Sequence, residues 1–195
     1  MRDDPRLVFT DLETMGLRND SPIVEVAMVV CTKDLEIVAK RSAVVTHTKR
    51  TWDGASSFAR EQHAASGLMA ESLDPTKSSL MAQVELDFLS FLEGHGFEAE
   101  TALIVGNSIG QDRIWLATQM PTLNTFLSHR TVDVSAVRSL IQRWVDAEYG
   151  GPQGVIEHRA MADCLWSRSE LMHYRKALFG GRAAEIYSLL TGSVA

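Results

Sequence analysis

The chain has 195 residues, 45% of them hydrophobic and 23% charged, and this length and composition predict one globular domain rather than two. Its formal net charge of -6 lacks the basic balance with which proteins grip long nucleic acids, so any nucleic-acid substrate should be short or locally bound. Its cysteines, Cys31 and Cys164, form no disulfide framework or metal-binding spacing. The chain has no membrane-length apolar run and no signal-like start, which predicts a soluble cytoplasmic protein.

Three strands are predicted near the start of the chain. Residues 7–10 and 23–31 are rich in β-branched and other apolar side chains, and the segment 35–47 contains further short apolar runs. The connection at Lys33 and Asp34 is too short for a parallel crossover, so these strands should form an antiparallel meander.

Predicted helices then alternate with two more strands. Residues 58–65 favour a short helix ended by Gly67, and the apolar residues of 80–92 recur at the spacing of a packed helix that ends at Gly94. This order predicts an α/β fold with a central mixed sheet, a domain over residues 1–180 and an extension over 181–195. The remaining predictions are strands at 102–105 and 131–134, a helix from Asp112 to Pro121, a helix through 137–144 capped by Asp133 or Ser135, and a long helix from His158 to Gly180.

Two acidic residues, Asp11 and Glu13, stand at the end of the first predicted strand. Side chains on a strand alternate between its faces, so both carboxylates point the same way while Leu12 points into the core. Two anions at the end of an apolar strand repel each other and lose hydration, and a divalent cation is the usual compensation. The alternative is that the strand ends at Thr10 and that both acids are solvated loop residues.

Three more polar residues could complete a catalytic site. Asp112 follows a glycine-containing loop after the fourth strand, Asp163 lies in the first turns of the last helix, and His158 precedes Asp163 by five positions. Singly, each has a simpler explanation, because acids are common in the first turn of helices and surface histidines are common. Together with the first two acids they have the composition of a two-metal phosphodiesterase site, in which Mg²⁺ or Mn²⁺ binds oxygen ligands and a histidine accepts the proton of the attacking water.

Three motifs resemble those of the DEDDh exonuclease superfamily: Asp11-Leu12-Glu13 with Gly16, the loop 106–112, and His158-x-Ala160-x-x-Asp163. Within it the chain resembles the oligoribonuclease family, which degrades very short RNA from its 3′ end. The resemblance is collinear over residues 7 to about 178. It extends to His63-x-x-Ser66-Gly67-Leu68, Arg130-x-x-Asp133-Val134-Ser135 and Arg143-Trp144. It implies a ribonuclease H-like fold, a five-stranded mixed sheet flanked by helices on both sides.

The resemblance also implies the roles of the catalytic residues. Asp11, Glu13, Asp112 and Asp163 match the acids that bind two metal ions, Mg²⁺ or Mn²⁺. His158 matches the general base. The implied reaction is hydrolysis of oligoribonucleotides, dinucleotides especially, to nucleoside 5′-monophosphates.

Other positions match residues that contact substrate in the family. Leu17 matches a leucine that wedges beside the bases, and Phe58 stands where a tryptophan usually stacks on a base. His63 and Ser108 match further substrate-contacting positions. Each of these residues could instead be an ordinary packing residue.

Arg130 and Ser135 match groups that cap the 5′ phosphate by reaching across the family's homodimer. The resemblance therefore implies a homodimer and a preference for short single strands, since a longer strand could not pass a closed cap. Ser135 could alternatively be only a helix cap.

Three positions depart from the family pattern. His129 stands where a tyrosine is usual, Thr14-Met15 inverts the usual order, and Ala162 replaces an acid often found beside the last metal ligand. These differences leave open a diverged member that acts on longer single-stranded RNA or DNA. A second alternative is a catalytically silent nucleotide-binding scaffold, but the intact set of acids and His158 argues against it.

Overall fold

The computed structural model describes residues 4–152 and 157–191, apart from the side chains of Ala183 and Ala184. Its strands form one sheet and are β1 (Leu7–Thr14), β2 (Ile23–Cys31), β3 (Ile37–Val44), β4 (Ala102–Gly106) and β5 (Leu127–Asp133). The spatial order is β3-β2-β1-β4-β5. β1, β2 and β3 pair antiparallel, whereas β4 is parallel to both β1 and β5, so the predicted five-stranded mixed sheet is confirmed.

The helices follow the strands in two groups. Those between β3 and β5 are α1 (Lys49–Asp53), α2 (Ser57–Ala65), α3 (Leu68–Leu73), α4 (Met81–Gly94), α5 (Ile109–Gln119) and α6 (Pro121–Phe126). Those after β5 are α7 (Val134–Trp144), α8 (Ala160–Phe179) and α9 (Ala183–Thr191). No helix within 4–152 and 157–191 combines the length and the apolar character needed to cross a membrane.

Each face of the sheet packs against its own helices. In β2, Val26, Met28 and Val30 point into a core shared with α4, α5 and α6. Ala27 and Val29 point into a second core, which is shared with α7 and α8. Because both faces of β2 are covered, its sequence is a continuous apolar run rather than an alternating one.

The same alternation positions the acids of β1. Phe9 belongs to the core shared with α8, and Leu12 belongs to the opposite core. Asp11 and Glu13 share the parity of Phe9, so they continue its row toward α8. The strand extends to Thr14, which rules out the alternative that it ends at Thr10.

The loop after β4 comes very close to the end of β1. A side-chain carbon added at Gly106 would lie 2.7 Å from the backbone oxygen of Thr10, so this approach requires glycine. Since β1, β4 and β5 are parallel, their carboxyl ends meet at one edge of the sheet, and residues 107–112 are therefore brought beside Asp11 and Glu13.

Several element boundaries differ from the predictions. β5 begins at Leu127 rather than at Thr131. It is an edge strand, and the polar residues of its first half do not show the alternation typical of a strand. α8 begins at Ala160, which leaves His158 in the preceding loop. The short helices α1, α3 and α6 were not predicted, since five or six residues are too few to give a periodic pattern. The predicted C-terminal tail includes residues 192–195, which lie outside the described part of the chain.

Candidate active site

Three carboxylates converge at the edge of the sheet. Oxygen atoms of Asp11 and Glu13 on β1 and of Asp163 on α8 all lie within 4.8 Å of one another. Asp163 is one turn into α8, the helix that packs across β1 and β2. The fold therefore brings together acids that are about 150 positions apart in the sequence.

Asp112 lies next to this group, but it does not belong to the set of acids whose oxygen atoms lie within 4.8 Å of one another. It is in the first turn of α5 and is 5% exposed. Its Oδ1 accepts a hydrogen bond from the backbone N–H of Leu12 at 3.0 Å, which fixes the carboxylate against the end of β1. All four acids predicted to bind metal thus lie at one place, with Asp112 on the α5 side.

Burial raises the pKa of every acid in the site, and repulsion from the other site acids adds to the shift at Asp11 and Glu13. Burial, followed by the charges of Asp112, Asp163 and Glu13, raises the pKa of Asp11 well above its ordinary value. Burial and the charge of Asp163 raise the pKa of Glu13 to about 8. Burial raises the pKa of Asp112 to about 7 and also raises that of Asp163, although His158 partly opposes the shift at Asp163.

These residues fit a divalent cation of the hard type. The donors are carboxylate oxygens, which Mg²⁺ and Mn²⁺ prefer. The Oδ1 of Asp163 is buried and has no hydrogen-bond partner among the described residues. A buried acceptor without a donor is costly unless another group satisfies it, and a cation held jointly with Asp11 and Glu13 would do so.

The raised pKa of Glu13 predicts how the metal-free protein responds to pH. The pKa of this carboxyl is about 8 in the folded protein and 4.5 ordinarily. It therefore contributes free energy of folding that is fully present below pH 4.5 and is lost as the pH rises through 8. Metal-free Glu13→Gln should therefore be more stable than the metal-free parent at pH 8.5, by on the order of 2 kcal/mol, with the difference shrinking toward pH 4.5. Urea unfolding in EDTA at several pH values measures this.

The matched control for that experiment is Glu98→Gln, because Glu98 is exposed and remote from the site. Its stability should follow that of the parent at all pH values. Saturating Mg²⁺ should stabilise the parent more than Glu13→Gln, since the variant lacks one ligand. Equal pH dependence of Glu13→Gln and the parent would show that Glu13 is not held among buried charges.

His158 lies in the loop before α8, with a left-handed backbone at φ = 52°. It lines a cavity of about 430 Å³ together with Glu13 and His63. Its ring meets that of Phe58 edge to face, with the ring centres 6.4 Å apart. The imidazole is therefore at the wall of a cavity that Glu13 also lines.

The outer wall of this first cavity is apolar. Leu17 and Phe58 line it, and they are 88% and 64% exposed. His63 lies deeper, and its Nε2 donates to the backbone oxygen of Thr14 at 2.9 Å. Burial lowers the pKa of His63, and its buried Nδ1 has no hydrogen-bond partner among the described residues.

A second, polar cavity of about 260 Å³ lies on the other side of Asp11 and Asp163. Ser108 and Ser135 line it, and the Ser108 N–H lies 3.3 Å from the Ser135 hydroxyl oxygen. Asp133 caps α7 and accepts from both the N–H and the hydroxyl of Ser135, which fixes that hydroxyl in place. Ser135 thus lines the same cavity as Asp11 and Asp163 of its own chain.

Arg130 is the one predicted site residue that the structure leaves apart from the others. It is exposed on β5 and is not among the described residues that line either cavity.

Sequence reasoning missed Arg138 and Trp166, which both line the polar cavity. Arg138 donates through Nε to buried Glu170 at 2.9 Å, and Glu170 also accepts from Asn107 and Tyr174. One local signal was available, because Arg138 is one helical turn after Ser135 and so lies on the same face of α7. Trp166 had the same signal, because it is one helical turn after Asp163 on α8.

Comparison with known proteins gives a consistent picture. Residues 8–170 match the family described as exonuclease. Over 177 residues the chain is 40% identical to the oligoribonuclease of Leifsonia xyli subsp. xyli, and the match covers 89% of this chain and 84% of that protein. It is 37% identical to the oligoribonuclease of Streptomyces coelicolor, with 89% and 87% covered.

Solved structures share the fold at low sequence identity. The zinc-bound complex of E. coli exonuclease I with single-stranded DNA gives a TM-score of 0.64 at 11% identity, and the match covers 94% of this chain. The complex of exonuclease I with a dT13 oligonucleotide gives 0.63 at 12% identity and 95% coverage. This chain spans only 43% of the exonuclease I chain in both cases, and the likeness establishes the ribonuclease H-like fold.

Proposed function

We propose that this chain, because it belongs to the oligoribonuclease family of exonucleases, removes nucleoside 5′-monophosphates from the 3′ ends of very short RNA strands, dinucleotides above all. The observation that carries the proposal is the cluster of Asp11, Glu13 and Asp163, whose oxygens lie within 4.8 Å of one another between two cavities of different polarity. Such a cluster serves phosphodiester hydrolysis, in which two cations hold the attacking and leaving oxygens.

The four acids Asp11, Glu13, Asp112 and Asp163 would hold two divalent ions, Mg²⁺ or Mn²⁺. When bound, these ions supply positive charge for the phosphate and for the developing oxyanions. Without them the buried carboxylates repel one another, as the raised pKa values of Asp11 and Glu13 indicate. The acids are therefore arranged for cations that stabilise the site when they bind.

His158 would act as the general base. It would accept the proton of a water molecule whose oxygen attacks the phosphorus atom of the 3′-terminal nucleotide. The bond between that phosphorus and the O3′ of the preceding nucleotide then breaks, which releases a nucleoside 5′-monophosphate. The position of His158 at the edge of the first cavity supports this role.

The two cavities are suited to the two ends of a dinucleotide. The 3′-terminal base would lie in the first cavity, where Leu17 and Phe58 offer apolar surfaces for wedging and stacking. The 5′ nucleotide would lie in the polar cavity, where Ser108, Ser135 and the guanidinium of Arg138 can contact its phosphate. The confined size of this cavity, about 260 Å³, favours short substrates.

A homodimer would complete the polar cavity from outside. Arg130 is exposed on an edge strand and could reach the 5′ phosphate bound to a second copy of the chain. His129, beside it, would then contribute to the same contact. A mass measurement in solution tests the dimer. We also propose that the protein acts in the cytoplasm.

Comparing substrates of different length tests the proposal. With Mg²⁺ or Mn²⁺ present, kcat/KM for a diribonucleotide should exceed that for a single strand of about twenty nucleotides by at least tenfold, about 1.4 kcal/mol of transition-state stabilisation. EDTA should abolish both activities, and a preparation of Asp11→Ala controls for contaminating nucleases. Equal or faster cleavage of the longer strand, as RNA or as DNA, would instead favour a proofreading-type exonuclease, and no metal-dependent cleavage at all would favour a silent scaffold.

A further inference from the structure

An ion-pair cluster centred on Arg159, the residue after His158, joins the start of α8 to β2 and α3. Arg159 donates to Glu25 on β2 through Nε at 3.1 Å and through Nη2 at 3.0 Å. The same guanidinium donates to Glu71 on α3, at 2.8 Å from Nη2 and at 3.3 Å from Nη1. One planar group thus pairs with two carboxylates, an arrangement that a lysine could not reproduce.

Glu25 is the buried centre of this cluster. It is 2% exposed and lies opposite Glu13 in the β1–β2 register. In addition to Arg159, its Oε2 accepts the backbone N–H of Ala160 at 3.0 Å. Ala160 is the first residue of α8, so a carboxylate from β2 caps the helix that carries Asp163.

The segment that carries His158 needs such an external restraint. His158 has a left-handed backbone, which is unfavourable for a residue other than glycine and persists only where surrounding contacts hold it. The residue at the N-cap of α8 is Arg159, whose side chain does not cap the helix. The contacts from Glu25 and Glu71 to Arg159 and Ala160 are therefore positioned to hold the loop.

We propose that Arg159 is a positioning residue, which holds His158 at the wall of the first cavity by clamping the start of α8 to Glu25 and Glu71. The inference rests on the proposed function, because positioning matters only if His158 takes part in catalysis. Arg159 itself need touch neither substrate nor metal. Its effect should appear in turnover and not in substrate binding.

The test begins with Arg159→Gln, Arg159→Lys and the double variant Glu25→Gln with Arg159→Gln. Arg159→Gln alone leaves a buried carboxylate without its cation and could lower stability strongly, whereas the double variant removes both charges and should fold. In the double variant kcat for a dinucleotide should fall by about tenfold to a hundredfold, the usual effect of losing an orienting partner. KM should change little, and Arg159→Lys should have an intermediate kcat.

The matched control is Arg175→Gln. Arg175 is on the same helix and pairs with Asp34 at 2.5 Å, but both side chains are about half exposed and remote from the acids. Its kcat should equal that of the parent. If the double variant also kept the parent kcat, or if Arg175→Gln lowered kcat as strongly, the positioning role would be wrong.

A double-mutant cycle with His158→Ala separates positioning from general damage. If Arg159 acts through His158, adding the Glu25→Gln and Arg159→Gln changes to His158→Ala should lower kcat no further. An additional loss of the same size in that background would overturn the proposal, because it would show an effect through the acids or the whole fold.

A measurement without activity keeps this inference apart from the proposed function. Amide hydrogen exchange at Ala160, whose N–H is bound by Glu25, should be faster in Arg159→Lys, which keeps Glu25 in place, than in Arg175→Gln. Unchanged exchange would disprove the clamp whatever the enzyme does. Fast exchange in the variant, together with a parent protein that does not cleave RNA, would confirm the clamp and disprove the proposed function instead.

Discussion

Asp11→Ala is expected to abolish metal-dependent cleavage while leaving the fold intact. Its carboxylate is within 4.8 Å of those of Glu13 and Asp163. The loss of a shared ligand would remove several kcal/mol of charge stabilisation, on the order of 10³-fold or more in kcat. Folding should not suffer, because in the metal-free protein Asp11 is a buried anion among like charges, and burial with that repulsion raises its pKa well above the ordinary value. Single-turnover cleavage of a diribonucleotide, with urea unfolding in EDTA, measures both effects.

Two further variants make the Asp11 experiment more specific. Asp11→Asn keeps the size of the side chain, so that activity lost in both variants is due to charge and ligand chemistry and not to a cavity. Asp53→Ala, at an exposed position of α1, is the matched control and should keep full activity. Near-normal turnover by Asp11→Ala would rule out the metal site.

Much of the sheet was predictable because its signals are local. The apolar run of β2 and the two-residue period of β1 are properties of the sequence alone, and that period predicted that Asp11 and Glu13 share a face. The edge strand β5 lacked the signal over its first half, since the buried pair Leu127 and Ser128 is followed by exposed residues and does not alternate with them.

The candidate site was only partly predictable, for a different reason. Asp112 and Asp163 could be singled out by motif and by their places after a strand and at a helix start, but their approach to β1 depends on the whole fold. Arg159 had no local signature at all, because its partners Glu25 and Glu71 are 134 and 88 positions away. Groups that orient other residues are in general recognised only once their distant partners are known.

His158→Ala is expected to lower kcat by about 10²- to 10⁴-fold, the usual contribution of a general base, without a matching loss of metal affinity. The reason is its location: His158 lines the cavity next to Glu13 but does not belong to the group of carboxylates whose oxygens lie within 4.8 Å. Turnover at saturating dinucleotide and Mn²⁺ binding followed by titration calorimetry measure the two quantities separately.

The left-handed backbone at position 158 calls for a second variant in this experiment. Asparagine tolerates that conformation better than alanine does, so His158→Asn keeps the loop while removing the base. Both variants should lose turnover to a similar extent, and His173→Ala, at an exposed position on α8, should lose none. If His158→Asn lost Mn²⁺ affinity by as large a factor as it lost kcat, both relative to the parent, His158 would be a metal ligand. The proton of the attacking water would then need another acceptor in the site.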